Sequence, residues 1–229
     1  NNIDQINSID NNTASVILET IQGGAGFILP QKKFLKAVRK KCAEVGALLI
    51  LDEIQPGIGR TGKLFAFEHF SVNPDILVFG KGLGGGFPIG AMTTDMKKMS
   101  LFKKNPILGH ITTFGGHPVI SAAAYANLKE TIESGVIEKI EEKEKLFRKI
   151  LKHRLITEIR GKGLMLALIM KNEQTSKRLI IESLNKGLIL FGLLFESKAV
   201  RITPPLNISN SEIKIGCSII MSVLNDDVD

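Results

Sequence analysis

The 229-residue sequence contains no tryptophan, one tyrosine and only two cysteines. Two cysteines are too few for a disulfide framework, and Cys42 and Cys217 both lie in segments with a helical pattern, so we expect buried thiols in a reducing compartment. The apolar run 163–170 is too short to span a bilayer. The first fifteen residues are polar and lack the apolar centre of a signal peptide. These absences predict a soluble, cytoplasmic protein without a membrane span.

Basic residues outnumber acidic ones, 30 to 23, for a formal net charge of +7. They do not form a dense patch interleaved with aromatic residues. The segment richest in charge, 138–150, alternates in sign, which is typical of a solvated helix face. We therefore expect no nucleic-acid partner, and an anionic small ligand suits the basic balance equally well. The four histidines have no metal-ligand spacing, so no metal site is predicted.

Apolar runs alternate with amphipathic helices along the first 134 residues, which predicts an α/β fold. The run 47–51 is apolar throughout, as in a strand of a parallel sheet that is buried on both faces. A helix before it should end near Gly46, and Pro118 suits the first position of a helix running toward Ser134. The predicted strands are 15–21, 47–51, 75–79 and 89–93.

The pattern changes after Gly135. A charged amphipathic helix extends to about Arg154, and shorter elements follow it. These are predicted strands at 163–170, 188–191 and 199–203, and helices at 175–185 and from Ser211. The sequence thus predicts two domains, one in residues 1–134 and a smaller α/β domain in residues 135–229.

Two charged positions follow predicted strands. Asp52 and Glu53 end the run LLIL, and Lys81 follows ILVF after one glycine, 29 residues later. Ligands of open α/β sheets bind beyond the carboxyl ends of the strands. We therefore expect an acid and an amine that face one crevice, and three kinds of site fit this arrangement.

Two of these interpretations concern nucleotides. The run Gly80–Gly85 matches G-x-G-x-x-G after a strand, but no helix is predicted behind it and no acidic residue stands at the expected distance. LLILDE resembles a magnesium-binding strand end of an NTPase, and the G-x-x-x-x-G-K-[ST] phosphate loop that such a site needs is not among these residues, so an NTPase would require the loop in an upstream segment.

The third interpretation is a pyridoxal phosphate site. A lysine amine attaches to the aldehyde of this cofactor, and attack requires a partly deprotonated amine. A carboxylate that faces the ring nitrogen keeps it protonated, so that the ring withdraws electrons from the substrate. Lys81 and Asp52 have the chemistry for these two roles, and the neighbouring glycines leave room beside the cofactor.

The same residues resemble the class III aminotransferases, which include ornithine, acetylornithine and 4-aminobutyrate aminotransferases. The resemblance covers nearly the whole chain, and the joint order of its motifs makes it specific. The motifs are Glu19–Gly26, LDEIQPGIGRTG (51–62), PDILVFGKGLGGGFPIGA (74–91), TTFGGHP (112–118), RGKGLM (160–165) and RITPPL (201–206).

The resemblance implies a role for five residues. Lys81 would be the Schiff-base lysine and proton shuttle, and Asp52 would pair with the pyridine nitrogen. Gln55 would lie near the phenolic oxygen, Thr113 would bind the cofactor phosphate of the neighbouring subunit, and Arg201 would bind a substrate carboxylate. Without the family, Asp52 would also suit the cap of a strand and Gln55 a turn. Thr113 would suit the N-cap of a helix, and Arg201 a surface ion pair.

The resemblance also implies the fold and the assembly. The fold would be that of aspartate aminotransferase (type I), with residues 1–134 as part of the large cofactor-binding domain and 135–229 as the small C-terminal domain. The active protein would be a homodimer with shared active sites. It would be a transaminase acting on an amino acid, such as ornithine or acetylornithine, and a 2-oxo acid.

Two departures from the family pattern stand out. Gly24 replaces a glutamate that pairs, in ornithine and 4-aminobutyrate enzymes, with the arginine matched by Arg201, so the substrate class stays open. The family's upstream segment, with its phosphate loop and ring-stacking aromatic residue, is not in this sequence, so we expect the C-terminal part of such an enzyme. The alternatives are a non-catalytic fragment that keeps a dimerisation surface, and a racemase or aminomutase of the same fold.

Overall fold

The computed structural model describes residues 1–226, which form two compact units. The first contains Asn1–Thr20, Pro30–Ile58 and Phe65–Ser134, and the second contains Ile21–Leu29, Gly59–Leu64 and the residues from Gly135 onward. Two short segments of the first 134 residues therefore group with the second unit.

The first unit contains a four-stranded sheet in the order β1 (Ser15–Glu19), β2 (Leu48–Asp52), β3 (Ile76–Gly80) and β4 (Gly90–Thr94). β1, β2 and β3 run parallel, and β4 is antiparallel to β3. Parallel neighbours need a crossover, and helix α1 (Lys32–Val45) supplies it between β1 and β2. The other helices of this unit are α2 (Met96–Met99), α3 (Pro118–Glu133) and 3-10 helices at Ile3–Ser8, Ala66–His69, Lys81–Gly84 and Ser100–Lys103.

The core of this sheet lies under α1. Leu35, Val38 and Cys42 are buried on one face of α1 and belong to the same apolar cluster as Leu49 and Leu51 of β2. The other face of β2 is only half-buried, so the expected burial on both faces is met on one face alone. The helix ends as predicted, because Gly46 adopts the left-handed conformation that terminates helices.

The second unit is built on an antiparallel sheet in the order β5 (Ile156–Lys162), β6 (Met165–Met170), β8 (Ala199–Ile202) and β7 (Phe191–Gly192). The helices of this unit are a 3-10 helix (Ile137–Lys139), α4 (Ile140–Ile150), α5 (Glu173–Asn185) and α6 (Asn210–Asn225). All six residues of β6 are buried, and three of them, Leu166, Leu168 and Met170, pack with apolar side chains of α4, α5 and α6.

The structure corrects three sequence predictions in this unit. β5 was not predicted, because its polar residues and Gly161 hide an edge strand whose pairing comes from β6. The charged helix ends at Ile150 and not near Arg154. The strand predicted at 188–191 is reduced to Phe191–Gly192, which pair with β8.

The remaining expectations concern cysteines, membranes and metals. Cys42 and Cys217 are buried free thiols, as predicted, and burial raises the pKa of Cys217 to about 12. Within residues 1–226, no helix is long and apolar enough to cross a bilayer. The same part of the chain holds no cluster of three or more histidine, cysteine or acidic side chains that would bind a metal ion.

Candidate active site

The carboxyl ends of three parallel strands bring the predicted acid and amine to one edge of the first unit. Asp52 is the last residue of β2 and pairs in register with Glu19 of β1 and Val78 of β3. Lys81 follows the last residue of β3 directly. The predicted arrangement of these two residues at neighbouring strand ends is therefore present in the fold.

The Asp52 carboxylate is held from one side. Its Oδ1 accepts a hydrogen bond of 2.8 Å from the backbone N–H of Ile54. The other oxygen, Oδ2, accepts no hydrogen bond from residues 1–226, and the side chain is half-buried. A fixed carboxylate with one unused oxygen is suited to accept a hydrogen bond from a protonated ring nitrogen.

Lys81 stands in an uncommon backbone conformation. It opens the 3-10 helix Lys81–Gly84 with a φ of +43°, and its side chain is exposed. A left-handed φ is rare outside glycine and costs about 1–3 kcal/mol. Such strain is concentrated at functional sites. The sharp change of direction turns the chain out of the sheet at the amine.

The chain can pass Gly80 before this turn only without a side chain, because the backbone before β4 lies against this residue. A Cβ at Gly80 would be 2.9 Å from the carbonyl oxygen of Ile89, at the start of the neighbouring strand. No side chain fits there without moving the backbone. The glycine beside Lys81 is thus explained by a close backbone approach in the sheet.

Glu53, beside Asp52, has a structural role that the sequence analysis did not assign. It is fully buried, and its Oε2 and Oε1 accept hydrogen bonds of 2.8 Å each from the backbone N–H groups of Ala66 and Phe67. Burial raises the pKa of Glu53, although these hydrogen bonds act in the opposite direction. The hydroxyl of Thr20 lies close enough to lower that pKa but forms no well-aligned hydrogen bond. Alternation along the strand was the available signal, since Asp52 and Glu53 must point to opposite sides.

Gln55 and Thr113 also lie in the first unit. Gln55 is half-buried in the turn after β2, and Thr113 is exposed in the segment before α3. Neither side chain forms a hydrogen bond with the described residues. Thr113 is not a helix cap, because α3 begins at Pro118 with His117 at the N-cap position.

Arg201 lies in the second unit, on β8. Its Nε donates a hydrogen bond of 3.0 Å to Oγ1 of Thr203, and its guanidinium carbon lies 5.4 Å from the ring centre of Phe191, which is a cation–π distance. No carboxylate in residues 1–226 lies within 4.0 Å of this guanidinium. Its terminal nitrogens are therefore available to a ligand carboxylate.

A second arginine of the same unit was missed by sequence reasoning. Nη1 of Arg60 donates to the carbonyl oxygens of Pro204, at 2.5 Å, and Leu164, at 3.3 Å. Burial, and then the positive charge of Arg201, lower the pKa of Arg60 to about 10. A second guanidinium close to Arg201 makes its surroundings more attractive to an anion.

An aromatic ring packs against Gly24, the position at which the family pattern has a glutamate. The N–H of Phe195 donates to the carbonyl oxygen of Gly24 at 2.9 Å, and a Cβ at Gly24 would be 2.9 Å from Cδ2 of that ring. Any larger residue at position 24 must displace Phe195. Among residues 1–226, Arg201 is held by Phe191 and Thr203 and not by a carboxylate.

Comparison with known proteins identifies the family. The model of the aminotransferase class-III family matches residues 1–224. The acetylornithine aminotransferase of Caldanaerobacter subterraneus subsp. tengcongensis is 41% identical over 224 residues, which are 96% of this chain and 55% of that protein. The putrescine aminotransferase of Pectobacterium atrosepticum is 41% identical over 217 residues, 92% of this chain and 46% of that protein.

A solved structure gives the same result for the fold. The ornithine aminotransferase of Toxoplasma gondii, described with partial occupancy of PLP at its active site, matches with a TM-score of 0.89 and 30% identity over 98% of this chain and 54% of its own. The mixed α/β architecture is thus the aspartate-aminotransferase-like fold of type I. The chain belongs to the class III aminotransferases. It spans about half the length of the curated relatives that it matches.

Pyridoxal phosphate, which the family implies, fits the residues present. Asp52 offers an unused carboxylate oxygen next to one that a backbone N–H already fixes. Lys81 offers an exposed amine on a strained turn at the same strand edge. The carboxylate matches the ring nitrogen of the cofactor, and the amine matches its aldehyde.

Proposed function

We propose that this chain carries the catalytic lysine of a pyridoxal-phosphate-dependent transaminase, which moves an amino group between an amino acid and a 2-oxo acid. The observation that carries the proposal is Lys81, a strained and exposed lysine one residue beyond β3, beside Asp52 at the end of the parallel strand β2. The family of the chain supports the same reaction class.

Lys81 and Asp52 perform the central steps in this proposal. When bound, pyridoxal phosphate supplies an electron-withdrawing ring that stabilises negative charge on the substrate carbon. The Asp52 carboxylate holds the proton on the ring nitrogen, since an ionised acceptor favours the protonated form. The Lys81 amine carries the cofactor between turnovers and moves a proton to and from the substrate carbon.

The other three residues bind and orient. Gln55 supplies an amide to the phenolic oxygen, and the Thr113 hydroxyl binds the phosphate held by the neighbouring subunit. Arg201 binds the substrate carboxylate through two parallel hydrogen bonds, for which its planar guanidinium is suited. The Phe191 ring and the Thr203 hydroxyl keep that guanidinium oriented before substrate arrives. In these terms the first unit is the cofactor-binding domain and the second is the small domain.

The proposed substrates are an ω-amino acid, such as ornithine or acetylornithine, and a 2-oxo acid. Support comes from the relatives, which are acetylornithine and putrescine aminotransferases. The availability of Arg201 to a carboxylate favours a donor that has one over a plain diamine.

The proposed assembly is a homodimer with shared active sites. The region from α2 into α3 exposes large apolar side chains that a partner would cover, among them Leu101, Ile107, Phe114 and Tyr125, each at least 69% exposed. Apolar surface of this extent is uncommon on an isolated domain. Thr113 lies within the same region.

Borohydride trapping tests the proposal. Reduction fixes the bound cofactor covalently to the amine that carries it, and peptide mapping then locates the pyridoxyl group. We expect the label on Lys81 and its loss in Lys81→Ala. Label on another lysine, or cofactor that is not fixed to the protein, would refute the proposal.

A further inference from the structure

In the turn that presents Lys81, the carbonyl oxygen of Gly82 accepts only a long hydrogen bond from the turn's own backbone. The N–H of Gly85 donates to the carbonyl oxygen of Gly82 at 3.4 Å, a long distance for such a bond. The first residue of the turn, Lys81, has the unfavourable φ of +43°. A residue strained in this way keeps its conformation only if the surrounding structure holds it.

Asn127 of α3 is one of the groups that hold it. Its Nδ2 donates a hydrogen bond of 2.7 Å to the carbonyl oxygen of Gly82 and one of 3.3 Å to that of Leu83. Both partners only accept, so the amide nitrogen has to face them. The carbonyl oxygen of Gly82 thus accepts two hydrogen bonds, one of 2.7 Å from Asn127 and one of 3.4 Å from the N–H of Gly85. The shorter of the two comes from helix α3.

The backbone after the turn is shaped to accept this side chain. Gly85 has a φ of +57°, and a Cβ there would lie 3.0 Å from Cβ of Asn127. Glycine avoids both the strain and the contact. The approach of Asn127 is thus part of how the segment after Lys81 folds.

Apolar packing fixes α3 at the same place. Leu83 of the turn is buried in a small cluster with Ala124 of α3, and Leu128 packs against that cluster. These two positions lie on either side of Asn127 along the helix. The turn is consequently joined to α3 in two ways. One is this apolar contact, and the other is the pair of hydrogen bonds from Asn127 to the carbonyl oxygens of Gly82 and Leu83, which we call the clamp.

We propose that Asn127 is a positioning residue for the Lys81 amine. By holding the carbonyl groups of Gly82 and Leu83, it keeps Lys81 in its left-handed conformation and its amine at the strand edge beside Asp52. Asn127 acts through the turn and forms no hydrogen bond with the amine. The inference rests on the proposed function, because it assigns Asn127 a role in the placement of the cofactor-bearing lysine.

The test uses two substitutions in the cofactor-loaded protein. Asn127→Asp keeps the shape of the side chain but turns a donor into an acceptor that faces two carbonyl oxygens, and Asn127→Ala removes the clamp without adding charge. Thr131→Val is the matched control, because it deletes a 2.8 Å hydrogen bond to the Asn127 carbonyl on the same helix and leaves the clamp intact.

The readouts are kcat, KM, the melting temperature and the pH midpoint of the visible absorbance of bound cofactor. We expect kcat to fall about three- to tenfold for each Asn127 variant, more for Asp, with KM for the amino donor nearly unchanged. The pH midpoint should move by about half a unit, since the amine changes surroundings as the turn relaxes. The control should lower only the melting temperature.

The outcomes separate the two proposals. If borohydride places no cofactor on Lys81 in the unmodified protein, the proposed function fails. If Lys81 carries the cofactor and both Asn127 variants keep the original kcat and pH midpoint, the positioning role is wrong. A control that shifts the midpoint as far as the Asn127 variants would also overturn the inference, because general loosening of α3 would then explain the effect.

Discussion

Replacing Glu53 by glutamine should destabilise the first unit in a pH-dependent manner. The two carboxylate oxygens of Glu53 each accept a 2.8 Å hydrogen bond from a backbone N–H, one from Ala66 and one from Phe67. An amide has one acceptor oxygen, and its nitrogen would face the second N–H. One buried N–H then loses its partner, which costs about 1–3 kcal/mol.

The sign of the pH dependence follows from the raised pKa. Burial makes ionisation of Glu53 less favourable in the folded protein than in the unfolded chain, whose value is 4.5. The stabilisation from the protonated form is therefore complete below that value and is lost as pH rises through the folded pKa. Glutamine does not titrate. The difference in unfolding free energy between the original protein and Glu53→Gln should be largest at acid pH and decrease toward neutral pH.

Urea unfolding at several pH values measures this difference. Glu68→Gln is a suitable control, because Oε1 of Glu68 accepts one 2.8 Å hydrogen bond from the N–H of Phe65 in the same turn but the side chain is exposed. A glutamine oxygen can replace that single acceptor, so the control should change the unfolding free energy by less than about 0.5 kcal/mol. A gap that widens with increasing pH, or a Glu53→Gln variant as stable as the original, would contradict the reasoning.

Three further predictions concern catalysis. Asp52→Asn should raise the barrier by about 2.7 kcal/mol or more, measured as single-turnover rate, because the ring nitrogen loses its ionised partner; a near-normal rate would rule out the role. Arg201→Ala should lower kcat/KM about ten- to hundredfold for carboxylate-bearing substrates and much less for monoamines in separate half-reactions, whereas equal losses would make the arginine structural. Mixing Lys81→Ala with Thr113→Ala subunits should restore some activity, since one site of the mixed dimer would have both residues, and no recovery despite subunit exchange would place the site within one chain.

The positions of Asp52 and Lys81 were predictable from sequence because the signal is local. Each follows a continuous apolar run, and such runs form strands of a parallel sheet whose carboxyl ends meet at one edge. The observed register, which pairs Asp52 with Val78, three residues before Lys81, follows from that pattern. The ends of α1 at Gly46 and α3 at Pro118 were equally local, since glycine and proline act through their own backbone.

Other features were decided by contacts between residues distant in the chain. β5 is an edge strand of mixed polarity, and its conformation depends on pairing with β6 and not on an apolar run of its own. Glu53 looked like a second acid at a strand end, and only the fold shows that its carboxylate caps backbone N–H groups 13 and 14 residues away. The Phe195 ring on Gly24 joins two loops that share no sequence pattern.

The site shows the same division between local chemistry and tertiary structure. Residue types and spacing determine that an amine and a carboxylate stand at neighbouring strand ends, because strand pattern and side-chain chemistry are properties of short segments. The left-handed φ of Lys81 and the clamp from Asn127, 45 residues from Gly82, are properties of the folded chain. Strain of this kind has no local signature, since it exists only where the surrounding structure compensates for it.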